Sequence, residues 1–412
     1  MSSIERIVIV GAGLAGARAA EALRKAGYEG TVTLLGEEPV RPYLRPPLSK
    51  DYLYGKAELE QVYLHPEAFY AEQRIDLRSS TEVLAIDPAA HEVMLSDDAR
   101  LPFDRLLIAT GVRPRTIPLP GVHLPGVMSL RTLADADALR AAAVEAERIV
   151  VVGAGWIGSE VAASLRMMDR RVAVLAPGAI PLQRVLGPEI GGFYRDLHHE
   201  HGVEFHLGTS LAQIVGKDRV EAVETTGGER IAADLVVVGV GAEPRIELAS
   251  AAGLSIGDGI EVNAMLETSV PGIYAAGDVA SAWHPFYGRR MRSEHWANAR
   301  FQGSAAGSLM LGAGEPFDRI PYFYSDQYDV AMEYTGHATS SDQLVVRGSL
   351  ADREFIAFWL AQGRVVAGMN VNVKKVAKSI DRLVRSRAIV DIAALSDPAT
   401  SLDEISGLPA PA

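Results

Sequence analysis

Two stretches of this chain run four β-branched residues straight into three glycines spaced G-x-G-x-x-G and then into alanine-rich sequence. The first is Ile7-Val8-Ile9-Val10-Gly11-Ala12-Gly13-Leu14-Ala15-Gly16 and the second Ile149-Val150-Val151-Val152-Gly153-Ala154-Gly155-Trp156-Ile157-Gly158. Each reads as strand, tight turn and helix. The first glycine permits the turn, the second lets backbone approach a pyrophosphate, and the third lets helix and strand pack closely. The helix N-terminus then offers free N–H groups to the phosphates. One such run is weak evidence, since any tight strand-to-helix turn can produce it. Two runs point to two Rossmann-type α/β units, each with a dinucleotide. A duplication in which a single copy still binds is the competing reading, and the intact glycines of both turns argue against it. In the first unit the strand Thr31-Val32-Thr33-Leu34-Leu35 is followed by Glu37, about 20 residues past the turn, where a carboxylate takes the ribose 2′-OH.

The chain holds 412 residues and no cysteine. A redox-active disulfide, a catalytic thiolate, a thiolate metal site and a Cys-ligated iron–sulfur cluster are therefore excluded, and redox chemistry must reside in bound cofactors. With 48% hydrophobic residues the chain can bury large cores and divides into two or three domains. Its net charge of −12 argues against a nucleic-acid partner. No apolar run is long enough to span a membrane, and a strand follows Met1-Ser2-Ser3 without a signal-like apolar segment. The expected location is the cytoplasm, with no membrane partner.

Arg41 to Lys50 holds three prolines and three cations and reads as a stiff loop. Arg45 and Lys50 either face a cofactor or are solvated; both readings stand. Phe103 to Ala109 reads as a strand ending in Thr110-Gly111, Pro118 to Pro125 as a linker, and Thr132 as a helix N-cap with Asp135 in the capping-box position. The second unit closes with the buried-strand pattern of Leu235 to Val238. A short apolar strand then ends at Gly277-Asp278, which places a carboxylate at a sheet's C-terminal edge, where ligands of open α/β sheets bind. Beyond residue 321 the pattern changes to short strands over 345–349, 355–360 and 365–369, followed by one helix. That helix sets Val376, Ile380, Leu383 and Val384 on one side and Lys375, Lys378, Arg382 and Arg385 on the other. Residues 370–390 carry six basic side chains against the single acid Asp381. An acidic docking partner and an ordinary solvated face both explain the stripe. His198, His199 and His201 read as a solvated helix face and not a metal site, because neighbouring helix positions point apart. Arg289, Arg290 and Arg292 either join the basic stripe or are plain surface.

These motifs, in this order, resemble the FAD-dependent NADH:ferredoxin reductases of bacterial oxygenase systems, which serve cytochrome P450s and aromatic-ring dioxygenases. The resemblance rests on Gly11 to Gly16, Arg45-Pro46-Pro47-Leu48-Ser49-Lys50, Ala109-Thr110-Gly111, Arg131-Thr132-Leu133, Gly153 to Glu160, Gly277-Asp278, Glu294-His295-Trp296 and Ser325-Asp326-Gln327-Tyr328. It implies a glutathione-reductase-like α/β fold with two Rossmann-type domains and a C-terminal α/β domain. The FAD domain would cover 1–114 and 247–320, the NAD domain 115–246 and the C-terminal domain 321–412. FAD is implied on the first unit, touched by Ala15, Glu37, Lys50, Val83, Arg131, Asp278 and Trp296. Arg45, Thr110, Gly111, Gly277, Glu294, His295 and Tyr324 join the candidates for cofactor binding through the shared motifs. NADH is implied on the second unit, at Gly153, Gly155, Trp156, Ile157 and Gly158. The implied catalytic residues are Lys50, near the reactive nitrogen of the flavin, and Glu160 beside it. Trp156 either packs in its turn or shields the flavin until nicotinamide arrives.

Three departures stand out. Ala176, followed by Pro177-Gly178, replaces the acid that relatives carry at the end of the second unit's second strand. No cation precedes Arg184 in that loop to take a 2′-phosphate, so NADH is expected over NADPH. Tyr322-Phe323-Tyr324 replaces a Trp-rich segment, and a proline often present near His295-Trp296-Ala297 is missing. The implied activity is hydride transfer from NADH to FAD, then one-electron transfer to an acidic [2Fe–2S] ferredoxin docked near Lys375, Lys378, Arg382 and Arg385. Rubredoxin reductase, NADH oxidase and an NADH-sensing binding protein similar to apoptosis-inducing factor are the alternatives.

Overall fold

The computed structural model describes residues 4–339 and 342–405. The chain forms two compact units. One comprises the chain up to Arg45, Glu58–Arg113 and Ala242–Arg319; the other comprises Pro46–Ala57, Pro114–Gly241 and the chain from Ile320 onward.

In the first unit the β-branched run before the glycines becomes the strand Arg6–Val10, buried from Ile7 onward, at the centre of a five-stranded sheet. The order across the sheet is Ile273–Ala275, Arg105–Ile108, Arg6–Val10, Thr31–Leu35 and Ile75–Arg78, with every neighbouring pair parallel. Gly11 turns the chain with φ +114°, and a Cβ there would lie 2.2 Å from the Ala109 carbonyl oxygen. Only glycine meets both demands. The helix Leu14–Lys25 follows, and the helix Trp296–Met310 packs along it. At their contact a Cβ on Gly303 would come within 2.2 Å of the Ala15 carbonyl oxygen.

The second unit repeats the plan. Its parallel sheet runs Glu204–Leu207, Arg171–Ala176, Arg148–Val152, Leu235–Val238 and Val127–Met128, and the helix Trp156–Met167 follows the glycine turn. Thr132 caps the helix Leu133–Glu145 in a capping box with Asp135, as the sequence leads one to expect. Pro46–Ala57 joins this unit through Leu53, which is buried in one apolar cluster with Leu139, Ile149, Val151 and Val161. The segment 118–125 is not a free linker. Its apolar side chains Leu119, Val122 and Leu124 pack on the core of Val150, Val152 and Ile214, and its Pro120 and Pro125 carbonyls accept from the Ile214 and Val220 amides.

From Tyr322 the chain builds an antiparallel sheet in the order Tyr322–Gln327, Val330–Gly336, Arg364–Val371, Glu354–Ala361 and Gln343–Ser349. The last three match the expected strands with longer ends. The first two add to the expected strands: Ser325, Asp326 and Gln327 interrupt the apolar pattern of one, whereas the other carries the alternation of Val330, Met332 and Tyr334. The helix Ala377–Ser386 buries Ile380, Leu383 and Val384, as its spacing requires.

The Gly303 contact has a measurable consequence. Gly303→Ala forces two helix backbones apart and should cost about 1–3 kcal/mol, read as a lowered Tm. Gly192→Ala, in a helix where a Cβ would meet nothing within 4 Å, should hold or raise Tm.

Candidate functional site

The two glycine turns are built alike. Gly13 and Gly155 each occupy the N-cap of the following helix without a side-chain cap, and a Cβ on either would meet nothing within 4 Å. Backbone N–H groups therefore open onto free space at both helix starts, which fits a pyrophosphate. In the first unit, a Cβ on Gly277 would lie 3.0 Å from the Ala15 Cβ, so the turn at Gly277 and the buried Asp278 reaches the helix start. The Gln302 side chain accepts from the Gly277 amide at 2.9 Å. Val83 is buried at the start of its strand.

Other first-unit candidates are committed to partners that the sequence did not suggest. Both oxygens of Glu37 accept from Arg245, one of them at 2.8 Å, and this hydrogen bonding holds the Glu37 carboxyl below the usual carboxylate range. The Arg245 backbone amide donates to the Gly111 carbonyl, while Thr110 Oγ1 donates to the Arg245 carbonyl at 2.9 Å. Arg45 meets the Tyr43 hydroxyl at 3.1 Å and Glu38 at 3.3 Å. Glu294 pairs with Arg292 at 2.6 Å. His295 is the N-cap of the helix that begins at Trp296, and the Arg300 guanidinium lies 5.1 Å from the Trp296 ring centroid.

In the second unit the helix after the glycine turn carries Glu160 at its buried face, 5% exposed, opposite Lys50. Lys50 Nζ lies 2.7 Å from Glu160 Oε2, and Ser49 Oγ donates to the same oxygen at 2.5 Å. Ser325 Oγ donates to Glu160 Oε1 at 2.7 Å, so both carboxylate oxygens are engaged. Lys50 Nζ also lies 5.8 Å from the centre of the Tyr324 ring, and burial pushes the Tyr324 phenol up to about 12. Trp156 packs edge-on to Tyr194 and Phe323, with centroids 5.8 and 5.1 Å away. Its Nε1 is buried with no hydrogen-bond partner among the described residues. Ile157 beside it is exposed. The Arg131 amide donates to Asp135 at 3.0 Å.

His198 overturns the expectation of a solvated histidine face, because only His199 of the three is exposed. It falls four residues after Tyr194 and eight after Ile190, on the buried side of the helix Gln183–Glu200. That spacing is the signal that identifies it. His198 Nε2 bonds Gln327 Oε1 at 2.7 Å, and Gln327 Nε2 donates to Ser325 Oγ at 3.1 Å. Ser325 and Gln327 share the buried face of one strand by simple alternation. The basic helix is partly neutralised: Arg382 pairs with Asp403 at 3.1 Å and Arg385 with Asp381 at 3.2 Å, while Lys374, Lys375 and Lys378 are exposed.

Residues 5–303 match the pyridine nucleotide-disulphide oxidoreductase family and residues 322–406 the reductase C-terminal family. The chain is 38% identical over 411 residues to putidaredoxin reductase of Pseudomonas putida, covering 98% of this chain and 97% of that protein. It is 39% identical over 403 residues to the ferredoxin–NAD(+) reductase component of the anthranilate 1,2-dioxygenase system of Burkholderia cepacia, covering 97% and 99%. This chain belongs to the FAD- and NAD(H)-dependent ferredoxin reductases. The reductase also superposes on the solved covalent putidaredoxin reductase–putidaredoxin complex with a TM-score of 0.93 at 38% identity, covering 97% of each chain. It has the glutathione-reductase-like fold of that group, but no cysteine to supply the disulfide in the broader family's description.

Burial pushes the His198 imidazole down to about 4, against the opposing effect of its bond to Gln327. Between about pH 6.5 and 4 the unfolded chain then binds a proton that the folded reductase refuses, so stability falls as pH drops through that window. His198→Gln should remove up to about 3 kcal/mol of this acid sensitivity, visible as a flatter plot of Tm against pH than that of the parent protein.

Proposed function

We propose that this reductase takes hydride from NADH at the Lys50–Glu160 pair and passes electrons singly to an acidic [2Fe–2S] ferredoxin of an oxygenase system. The observation that carries this reading is the buried ion pair, set on the helix that follows the second glycine turn. FAD, when bound, supplies the chemistry that accepts two electrons together and releases them one at a time. The protein supplies placement and charge. Gly11, Gly13 and Gly16 cradle one pyrophosphate with Ala15 and Asp278 close by, and Gly153, Gly155 and Gly158 cradle the other. Lys50 holds a fixed positive charge where hydride arrival adds electron density, and Glu160 fixes the ammonium in position. Trp156, packed on Tyr194 and Phe323, stands at the entrance to the second turn, where an incoming nicotinamide would displace it.

NADH is preferred to NADPH on this reading. Ala176 ends its strand without a carboxylate, and residues 177–183 contain no cation to neutralise a 2′-phosphate. The chain has no cysteine to relay electrons, so bound FAD would supply them to the acceptor without a protein thiol in between. The exposed Lys375 and Lys378, with Arg382 and Arg385, form the docking face. The three-domain division at residues 114, 246 and 320 belongs to the same proposal. Among the described residues no helix is long and apolar enough to cross a membrane, and the cytoplasm is the proposed location.

Anaerobic stopped-flow mixing tests the core of this reading. NADH should bleach the flavin faster than NADPH, and a [2Fe–2S] ferredoxin should promptly reoxidise it. Slow bleaching with a long-lived charge-transfer band and a change of oligomer would favour a sensor instead. Reversing Lys375 and Lys378 to Glu should raise the ferredoxin KM about tenfold at low salt, with the effect shrinking as salt screens the charges. Ferricyanide reduction should not change, and an unaltered ferredoxin KM would remove this face from the docking site.

A further inference from the structure

Lys50 and Glu160 are the inner end of a longer chain of hydrogen bonds. Its outer end is the Tyr328 ring, stacked on His201 with centroids 3.7 Å apart. The Tyr328 hydroxyl lies 3.3 Å from His198 Nδ1. From there the chain passes through His198, Gln327 and Ser325 to Glu160 Oε1.

Each proton in this chain points the same way. The Gln327 amide oxygen can only accept, so His198 Nε2 carries the hydrogen. The imidazole is neutral at physiological pH because burial opposes its charge, so Nδ1 presents a lone pair to the Tyr328 hydroxyl. Gln327 Nε2 can only donate, so the Ser325 oxygen accepts from it and spends its single proton on Glu160. The members are buried: His198 is 1% exposed, and Ser325 and Gln327 are each 2% exposed. A primary amide in the middle does not pass protons onward readily, so the chain orients and does not conduct.

We infer that His198, Gln327 and Ser325 are positioning residues for the reductase, a one-way hydrogen-bond chain that fixes the rotation of the Glu160 carboxylate. With Oε1 pinned by Ser325, Oε2 is left facing both Lys50 and Ser49. Ser49 is itself tied down, since Ser164 Oγ donates to its backbone carbonyl at 2.7 Å. The lysine is thereby held from two sides, through its ion pair and through the residue before it. Supporting groups of this kind set reacting groups to within fractions of an ångström, and misplacement by 1 Å can cost about a hundredfold in rate. The inference rests on the reading of Lys50 and Glu160 as the pair that acts in hydride transfer.

The test measures the limiting rate of flavin reduction at saturating NADH in FAD-loaded protein, with Tm and flavin content recorded for each variant. Ser325→Ala should slow reduction about tenfold or more, and Ser325→Thr, which restores a hydroxyl, should recover most of the rate. Gln327→Glu keeps the shape but turns a donor into an acceptor, drawing the Ser325 proton away from Glu160, and should slow reduction as much as Ser325→Ala. In a Glu160→Gln background neither substitution should slow the reaction further, because the chain acts through the Glu160 carboxylate. If Ser325→Ala loses FAD, Gln327→Glu in both backgrounds carries the test alone. Rates within twofold of the parent for Ser325→Ala and Gln327→Glu, while Glu160→Gln is slow, would overturn the chain and leave the pair's role intact. Additive losses in the Glu160→Gln background would also overturn it. A normal rate in Glu160→Gln itself would instead remove the pair from hydride transfer, and the chain's proposed purpose with it.

Discussion

Two opposite charges in a nearly waterless place are tolerable only when they face each other and their remaining bonding capacity is used. Lys50 and Glu160 meet both conditions, with the ammonium 2.7 Å from one carboxylate oxygen and serine hydroxyls on both oxygens. Deleting one partner of a buried pair leaves the other charge uncompensated, at a cost of about 3–5 kcal/mol. The architecture of the second unit follows from satisfying this pair. Pro46–Ala57 leaves its sequence neighbours to deliver Lys50 and Ser49, and Leu53 anchors it in the core. The helix after the second glycine turn delivers Glu160. The strand Tyr322–Gln327, from the far end of the sequence, delivers Ser325. Three segments that are distant in sequence converge on one carboxylate.

What could be read from the sequence was what local spacing determines. Both glycine turns, the Thr132 capping box and the apolar stripe of Ile380, Leu383 and Val384 depend on residues within a few positions of one another. The ion pair of Glu37 with Arg245 does not, since 208 positions separate them. Glu37 stands where the fingerprint puts it, yet nothing near it in sequence announces the arginine. The packing of residues 118–125 is hidden for a related reason: proline and glycine disrupt regular structure whether a segment is free or packed, and the contacts that hold Leu119 and Leu124 come from strands made much later. The burial of His198 is local information as well: it continues the side of its helix that carries Ile190 and Tyr194, which neighbouring His199 does not share.

Charge in this reductase is distributed by purpose. The protein is strongly acidic as a whole, and many of its arginines are committed to nearby carboxylates, among them Arg245, Arg353, Arg382 and Arg385. The lysines at 374, 375 and 378 are exposed at the start of a helix whose opposite face is buried. An arginine paired with a carboxylate has part of its charge already answered, while a hydrated lysine can meet an anionic surface without first breaking a bond.

The order in which the strands of the first unit are made has a consequence for biosynthesis. Arg105–Ile108 pairs on one side with the early strand Arg6–Val10, but its other edge is closed only by Ile273–Ala275. The whole nucleotide-binding sheet of the second unit is translated in between. At about 5–20 residues per second, a ribosome needs on the order of ten seconds or more to supply the missing strand. Until that strand exists, one edge of Arg105–Ile108 lacks its sheet partner, and an unpaired apolar edge is a template for pairing with other chains.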